Sequence, residues 1–205
     1  MGDRPRLLDL FCGAGGAAMG YHRAGFEVVG VDLRNQPDYP FEFRQADAMT
    51  YPLEGFDAIH ASPPCQAYSE ATAWRGSRAN HPQLIVPTRE RLMAAGVPYV
   101  IENVAGARRE LRNPVRLCGS QFGLPVQSHR YFEMPWWTDW VLMPPCSHGK
   151  DQFVRDHGGK HPESEFGPAM GIDWMTTDEA RQAIPPAFTE WIGQRLMYVL
   201  SGVPV

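Results

Sequence analysis

A chain of 205 residues with 43% hydrophobic and 20% charged side chains has an ordinary globular make-up, with room for one sizeable α/β core or at most two small domains. No stretch approaches the roughly 18 consecutive apolar residues of a membrane span, and "MGDRPRLLDLFCG" lacks the apolar run of a secretory signal, so a cytoplasmic location is expected. The net charge of −4 argues mildly against a polyanionic partner, yet residues 75–130 carry nine arginines against three glutamates, so any such partner should meet the middle third.

"RLLDLF" (6–11) is a short apolar run that enters the glycine cluster "GAGG", as a buried parallel strand enters a tight turn and a helix. The helix follows as "AAMGYHRAG" and closes at Gly25. "EVVGVD" (27–32) predicts a second strand, "FEFRQAD" (41–47) a weaker third, and "FDAIHAS" (56–62) a fourth that runs into Pro-Pro-Cys. "LIVPTRERLMAAG" (84–96) has helical spacing with Pro87 as its start or kink, and leads to the apolar strand "VPYVIENV" (97–104). "VRLCGSQFG" and "HRYFEM" read as two further strands. The alternation predicts a mostly parallel sheet with helices on both faces.

Residues 135–170 differ in kind, rich in Trp, Pro, His and Gly and without a period, and read as a small irregular insert. Regularity returns in "TTDEARQAIPPAFTEWIGQRLMYVL". Thr176 and Glu179 fit a capping box, the short helix must stop before Pro185, and Phe188, Trp191, Ile192, Leu196 and Val199 form the apolar stripe of a docking helix. The expected organisation is an α/β core over 1–134, an irregular insert over 135–170, and a segment over 171–205 that completes the core.

Chemistry-bearing residues gather at the expected strand ends, where open α/β sheets bind ligands. Gly13, Gly15 and Gly16 permit a turn that a ligand can approach closely. Asp32 is placed to accept from a ribose diol and Asp47 from an adenine amine. Cys65 stands in the stiff, polar frame "ASPPCQAYS", which suits either a buried structural thiol or a nucleophile. The four cysteines (Cys12, Cys65, Cys118, Cys146) follow no paired-motif rhythm, as in a reducing compartment.

In order and spacing, "DLFCGAGG", "VD", "QAD", "SPPCQ" and "IENV" resemble the cytosine-C5 DNA methyltransferases, with "ENV" opening thirty-seven residues after Cys65. The resemblance runs from Arg6 to about Met134 and returns in the C-terminal helix region. It implies a Rossmann-like fold dependent on S-adenosylmethionine, with Asp9, Phe11, Gly13, Gly15, Gly16, Asp32, Asp47, Pro63 and Gln182 around the cofactor. It implies Cys65 as the nucleophile at cytosine C6, Glu102 as the proton-bearing partner of N3, and Arg130 at O2. Asn103 would brace the loop, while Gln66 and Ser69 would open a segment, Tyr68–Arg78, that closes over a flipped-out base. Arg75, Arg78, Arg108, Arg109 and Arg112 would hold phosphates of DNA.

Three departures qualify the match. In the arginine motif aligned on "RYFEM", Val126 and Ser128 replace the usual glutamine and first arginine, leaving base grip to Arg130 with help from His129. In "RQAIPP", Gln182 replaces an asparagine near the methyl donor, and the adjoining Arg181 could favour a negatively charged cofactor variant. The thirty-six residues of the insert stand where specific members carry a full recognition domain, a shortening similar to that of bacteriophage enzymes. Low or short-context specificity is therefore expected, with a bacterial host cytoplasm as the location if phage-encoded, and a monomer is favoured. Cys146, His148, His157 and His161 raise a zinc reading of the insert, but Cys-x-His is not a standard paired ligand set, and no metal is assigned. Trp136, Trp137 and Trp140 fit core or lid better than base stacking. The alternatives are a tRNA cytosine methyltransferase and an idle homologue that binds DNA or a partner methylase. A nicotinamide oxidoreductase fits the glycine turn but leaves "SPPCQ" and "IENV" unexplained.

Overall fold

The computed structural model of the chain describes residues 4–68, 82–137, 143–148, 154–155 and 162–202. A seven-stranded sheet has the order β3-β2-β1-β4-β5-β8-β6, formed by β1 (Arg6–Leu10), β2 (Glu27–Asp32), β3 (Glu42–Gln45), β4 (Ala58–Ala61), β5 (Tyr99–Asn103), β6 (Val115–Cys118) and β8 (His129–Glu133). β3 through β5 are mutually parallel. β8 runs antiparallel to both of its neighbours, so β6 points the same way as β5. The expected fold class and all seven of these strands are thus present.

Both sheet faces are covered, which is why β1, β2, β4 and β5 are nearly continuous apolar runs rather than alternating ones. On one face Leu7, Val28, Val100 and Phe132 pack beneath α1 (Gly16–Ala24) and the C-terminal helix. On the other, Leu8, Leu10, Ile59 and Ile101 pack with Ile85 and Leu92 of α2 (Ile85–Ala95). α1 closes at Gly25, whose φ of 113° lets its amide cap the last turn.

Two short helices, α3 (Phe166–Ala169) and α4 (Thr177–Gln182), are followed by the 15-residue α5 (Pro186–Leu200). The expected capping box starts α4: the Thr176 hydroxyl accepts from the Glu179 amide, and the Glu179 carboxylate accepts from the Thr176 amide at 2.8 Å. α5 buries Phe188, Ile192 and Leu196 and half-buries Trp191 and Val199. Gly20 lets α1 approach α5 at close range, because a Cβ there would collide with Thr189 and Pro186. At that crossing the Thr189 hydroxyl donates to the Ala17 carbonyl at 2.9 Å.

The described residues of the insert include regular structure. β7 (Val126–Gln127) pairs in parallel with β9 (Val154–Arg155), and Val126 and Val154 share a third apolar cluster with Phe166, Met170, Ile172 and Ala180. Trp136 and Trp137 are core-facing, as expected: the Trp136 indole donates to the Tyr99 carbonyl at 2.8 Å, and Trp137 packs on Trp191. Among the described residues no helix is long and apolar enough to cross a membrane.

Candidate active site

The carboxyl ends of β1, β2, β4 and β5, with the amino end of antiparallel β8, bring the proposed residues to one edge of the sheet. After β1 the backbone turns through three residues of positive φ, the third being Gly15 at 88°. Phe11 has φ 60°, rare for an aromatic and a mark of functional loops, and Gly13 has φ 49°. The Gly13 amide donates to Asp32 Oδ2 at 3.1 Å and the Arg34 amide to Asp32 Oδ1 at 2.9 Å, so the acid after β2 fixes the turn after β1. Asp47 accepts from the Met49 amide at 2.8 Å in a local turn.

Gly16 corrects one expectation. It does not supply a special torsion; its missing Cβ makes room for the backbone of Ile184, so the segment after α4 closes on the glycine turn. The Trp174 indole adds a bond to the Ala14 carbonyl at 3.0 Å. Gln182 is exposed, with its amide turned back to the Asp178 carbonyl, and Arg181 lies 3.6 Å from the Asp178 carboxylate.

The turn fits the cationic methyl donor that the resemblance implies. Asp9 is buried, and neither of its carboxylate oxygens has a hydrogen-bond partner among the described residues. Burial, and then the neighbouring Asp32, raise its pKa well above the usual carboxylate range. Unsatisfied acceptors beside two acids at a glycine turn suit a ligand that brings positive charge and hydrogen-bond donors.

Cys65 follows the Pro63-Pro64 stiffening of the loop after β4, and its carbonyl accepts from the Tyr68 amide at 2.9 Å. Asn103, at the end of β5, donates from its amide to the Pro63 carbonyl at 2.8 Å and accepts from the Val104 amide at 3.0 Å. One buried side chain thus ties the thiol loop to the strand that carries Glu102. Burial pushes the Cys65 thiol up and the Glu102 charge adds to this, while Arg130 pulls it down. At rest the sulfur is therefore a protonated thiol.

Glu102 is 6% exposed, and burial raises its pKa against the opposing pull of Arg130 and of the Ser62 hydrogen bond. Arg130 Nε stands 3.3 Å from Glu102 Oε1, within ion-pair range but out of line for a hydrogen bond, so Oε1 keeps an open position. Behind Glu102 runs a polar chain that sequence reading did not detect. The Tyr21 hydroxyl meets His60 Nδ1 at 2.9 Å, His60 Nε2 meets the Ser62 hydroxyl at 2.9 Å, and Ser62 bonds Glu102. Burial holds His60 down to about 3, so the ring is neutral. Placing its proton on Nε2 lets Tyr21 donate to His60, His60 to Ser62, and Ser62 to the carboxylate. The signal available in the sequence was "HAS", two polar groups inside an otherwise apolar strand end.

The basic middle third is only partly a surface. Arg89 is buried in a two-pronged pair with Glu133, both N–O distances 2.7 Å, and Arg91 donates to the Ala48 and Tyr51 carbonyls. Arg112 directs its guanidinium to Met93 and its amide to Glu133 rather than towards Cys65. Arg108 and Arg109 are exposed just beyond β5, with Arg108 over the Tyr131 ring, and Gln66 is exposed beside Cys65. Ser69, Arg75, Arg78, Trp140, His157 and His161 lie outside the described residues. Cys146 and His148 converge with Cys118 and His129, two residues the sequence reading had not joined to them.

The pattern of the C-5 cytosine-specific DNA methylase family matches residues 6–114, more than half of the chain. The chain is 28% identical to the type II methyltransferase M.AquIA of a Picosynechococcus strain, over 89% of this chain and 90% of that one. It is 29% identical to the type II methyltransferase M.NgoPII of Neisseria gonorrhoeae, over 49% of this chain and 33% of that one. In fold it is similar to the Entamoeba histolytica methyltransferase EhMeth, with a TM-score of 0.63 at 12% identity, covering 97% of this chain and 99% of the other. The thiol loop, the buried glutamate and the glycine turn all lie within the matched span, and the chain belongs to the C-5 cytosine-specific DNA methylase family, S-adenosylmethionine-dependent enzymes that methylate cytosine C5.

Proposed function

We propose that the chain methylates cytosine in DNA through a covalent bond between Cys65 and C6 of the base. The observation that carries this reading is the open Oε1 of buried Glu102, beside Arg130 and tied through Asn103 to the Cys65 loop. Burial raises the Glu102 pKa and so favours the protonated form, which donates to N3 as the Cys65 sulfur bonds to C6, while Arg130 holds O2. The thiol proton leaves to solvent as the sulfur attacks, and the C5–C6 π pair moves to C5. S-adenosylmethionine, when bound, supplies the electrophilic methyl group that this pair takes up. Loss of the C5 proton to water then restores the double bond, the C6–S bond breaks with its pair returning to sulfur, and Glu102 recovers its proton from N3.

Recognition on this reading is sparse. Arg108 and Arg109, with Arg75 and Arg78, hold phosphates, and the small insert leaves specificity low or limited to a short context. Methylation mapped to one long recognition site with none elsewhere would refute that part.

The mechanism is tested with 5-fluorocytosine in single-stranded DNA, double-stranded DNA and RNA, each with S-adenosylmethionine. Fluorine at C5 cannot leave as the proton does, so the adduct is trapped. The expected result is a denaturation-resistant complex with DNA that disappears in Cys65→Ala. A complex formed with RNA alone, or none with any polymer, overturns the proposal.

A further inference from the structure

Beyond the methyl-transfer site, four ligand-type side chains meet at the far edge of the sheet. Cys118 ends β6, and His129, its register partner, begins β8. Cys146 and His148 come from the segment 143–148. Their sulfur and imidazole nitrogen atoms all lie within 4.8 Å of one another. His129 Nε2 is 3.6 Å from Cys146 Sγ and 3.4 Å from His148 Nε2.

The two distances from His129 match those across a tetrahedral metal site. With zinc bonds of about 2.3 Å to sulfur and about 2.0–2.1 Å to nitrogen, tetrahedral angles set S···N near ~3.5 Å and N···N near ~3.4 Å. Two thiolates and two neutral imidazoles also balance a divalent charge, and this soft, four-coordinate set selects zinc over hard cations. The surroundings hold the ligands in place without the metal. Gln121 donates to the Pro144 carbonyl at 2.7 Å and accepts from the Cys118 amide at 2.7 Å, and the Ser120 hydroxyl meets both the Ser147 amide and Cys118 Sγ.

We propose that Cys118, His129, Cys146 and His148 bind one zinc ion in a closed structural site that pins the insert to the β6–β8 edge of the catalytic sheet. All four positions are filled by protein, so the ion takes no part in chemistry. Its effect on the active site runs through one peptide: Arg130 follows His129 and donates to its carbonyl at 3.2 Å. Fixing His129 fixes the start of the strand that aims Arg130 at Glu102.

The test reads the metal, not turnover, so it is independent of the proposed mechanism. Full-length protein purified without chelator is expected to hold equimolar zinc by elemental mass spectrometry. After replacement by cobalt(II) it should display the visible bands of a tetrahedral centre and a thiolate charge-transfer band. The double variant Cys146→Ser, His148→Ala should lose the metal while keeping its helical circular dichroism. If that variant does not fold, thiol labelling of the wild type replaces it: zinc should shield Cys118 and Cys146 together, and a chelator should expose both. Sub-stoichiometric binding of zinc and cobalt alike, a cobalt spectrum without thiolate character, metal retained by the folded double variant, or a Cys118–Cys146 disulfide in freshly purified protein would overturn it.

Discussion

Glu102 and Glu133 sit on adjacent strands, β5 and β8, each buried and each facing an arginine, yet their surroundings are opposite. Glu133 is saturated. Arg89 grips both of its oxygens at 2.7 Å, the Arg112 amide donates to it at 2.7 Å and the Tyr99 hydroxyl at 3.3 Å, and Arg89 spends a further bond on the Glu110 carbonyl. Glu102 has an off-line arginine at 3.3 Å, one serine bond and an oxygen left open. The first pair ties α2, the loop after β5 and β8 together. The second is held incomplete, which costs stability and leaves a buried acid of raised pKa with an acceptor unused by the described residues. Satisfaction of hydrogen bonds, more than burial or charge, separates the saturated pair from the one proposed to react.

That contrast can be broken by exchange. Glu102→Gln should lower kcat by about 10²–10⁴-fold, because the amide cannot pass a proton to N3, while thermal melting stays at or above the wild-type value. Steady-state kinetics beside a melt checks both halves, and a large loss of stability would put Glu102 in the same class as Glu133. Arg89→Ala should do the reverse, destabilising the fold by about 3–5 kcal/mol because it strands a buried carboxylate. Urea unfolding measures this; a change within about 0.5 kcal/mol would mean that the pair contributes nothing beyond its surface equivalents.

pH sharpens the same comparison. The raised pKa of Glu102 means that its stabilising balance is fully present below the unfolded carboxyl pKa, about 4.3, and is lost as pH rises through the folded value. Wild-type stability should therefore fall over that window, and Glu102→Gln should flatten the fall. The alkaline limb of kcat should report the same group, since ionised Glu102 cannot donate. The smallest effect is expected from Ser62→Ala. It removes a bond that lowers the Glu102 pKa, so the alkaline limb should move to higher pH. A limb that stays in place would detach the Tyr21–His60–Ser62 chain from catalysis.

Much of the site was legible because its pieces are local. "SPPCQ" and "IENV" each bring a strand, its end and a reactive side chain within a few residues, and hydrophobic runs between turn signals sufficed for the sheet. What escaped was made by contacts across the fold. Arg89 looked like one more surface cation until its partner, forty-four residues on, came beside it. Gly16 looked like a torsional device, although the reason for it is Ile184 at the far end of the chain. Cys118 and His129 become neighbours only through the antiparallel pairing of β6 with β8, which no spacing along one strand encodes. The polar residues within "HAS" were visible, but their direction towards Glu102 depends on the pairing of β4 with β5.

The closure of the glycine turn by Trp174, Ile184 and Thr189 has a consequence for biosynthesis. These residues meet Ala14, Gly16 and Ala17 across sequence separations of 160 to 172 residues. A nascent chain emerging from the ribosome therefore carries its glycine turn early but lacks that turn's far wall until α5 has been translated. Packing around the turn is therefore complete only once that helix has docked.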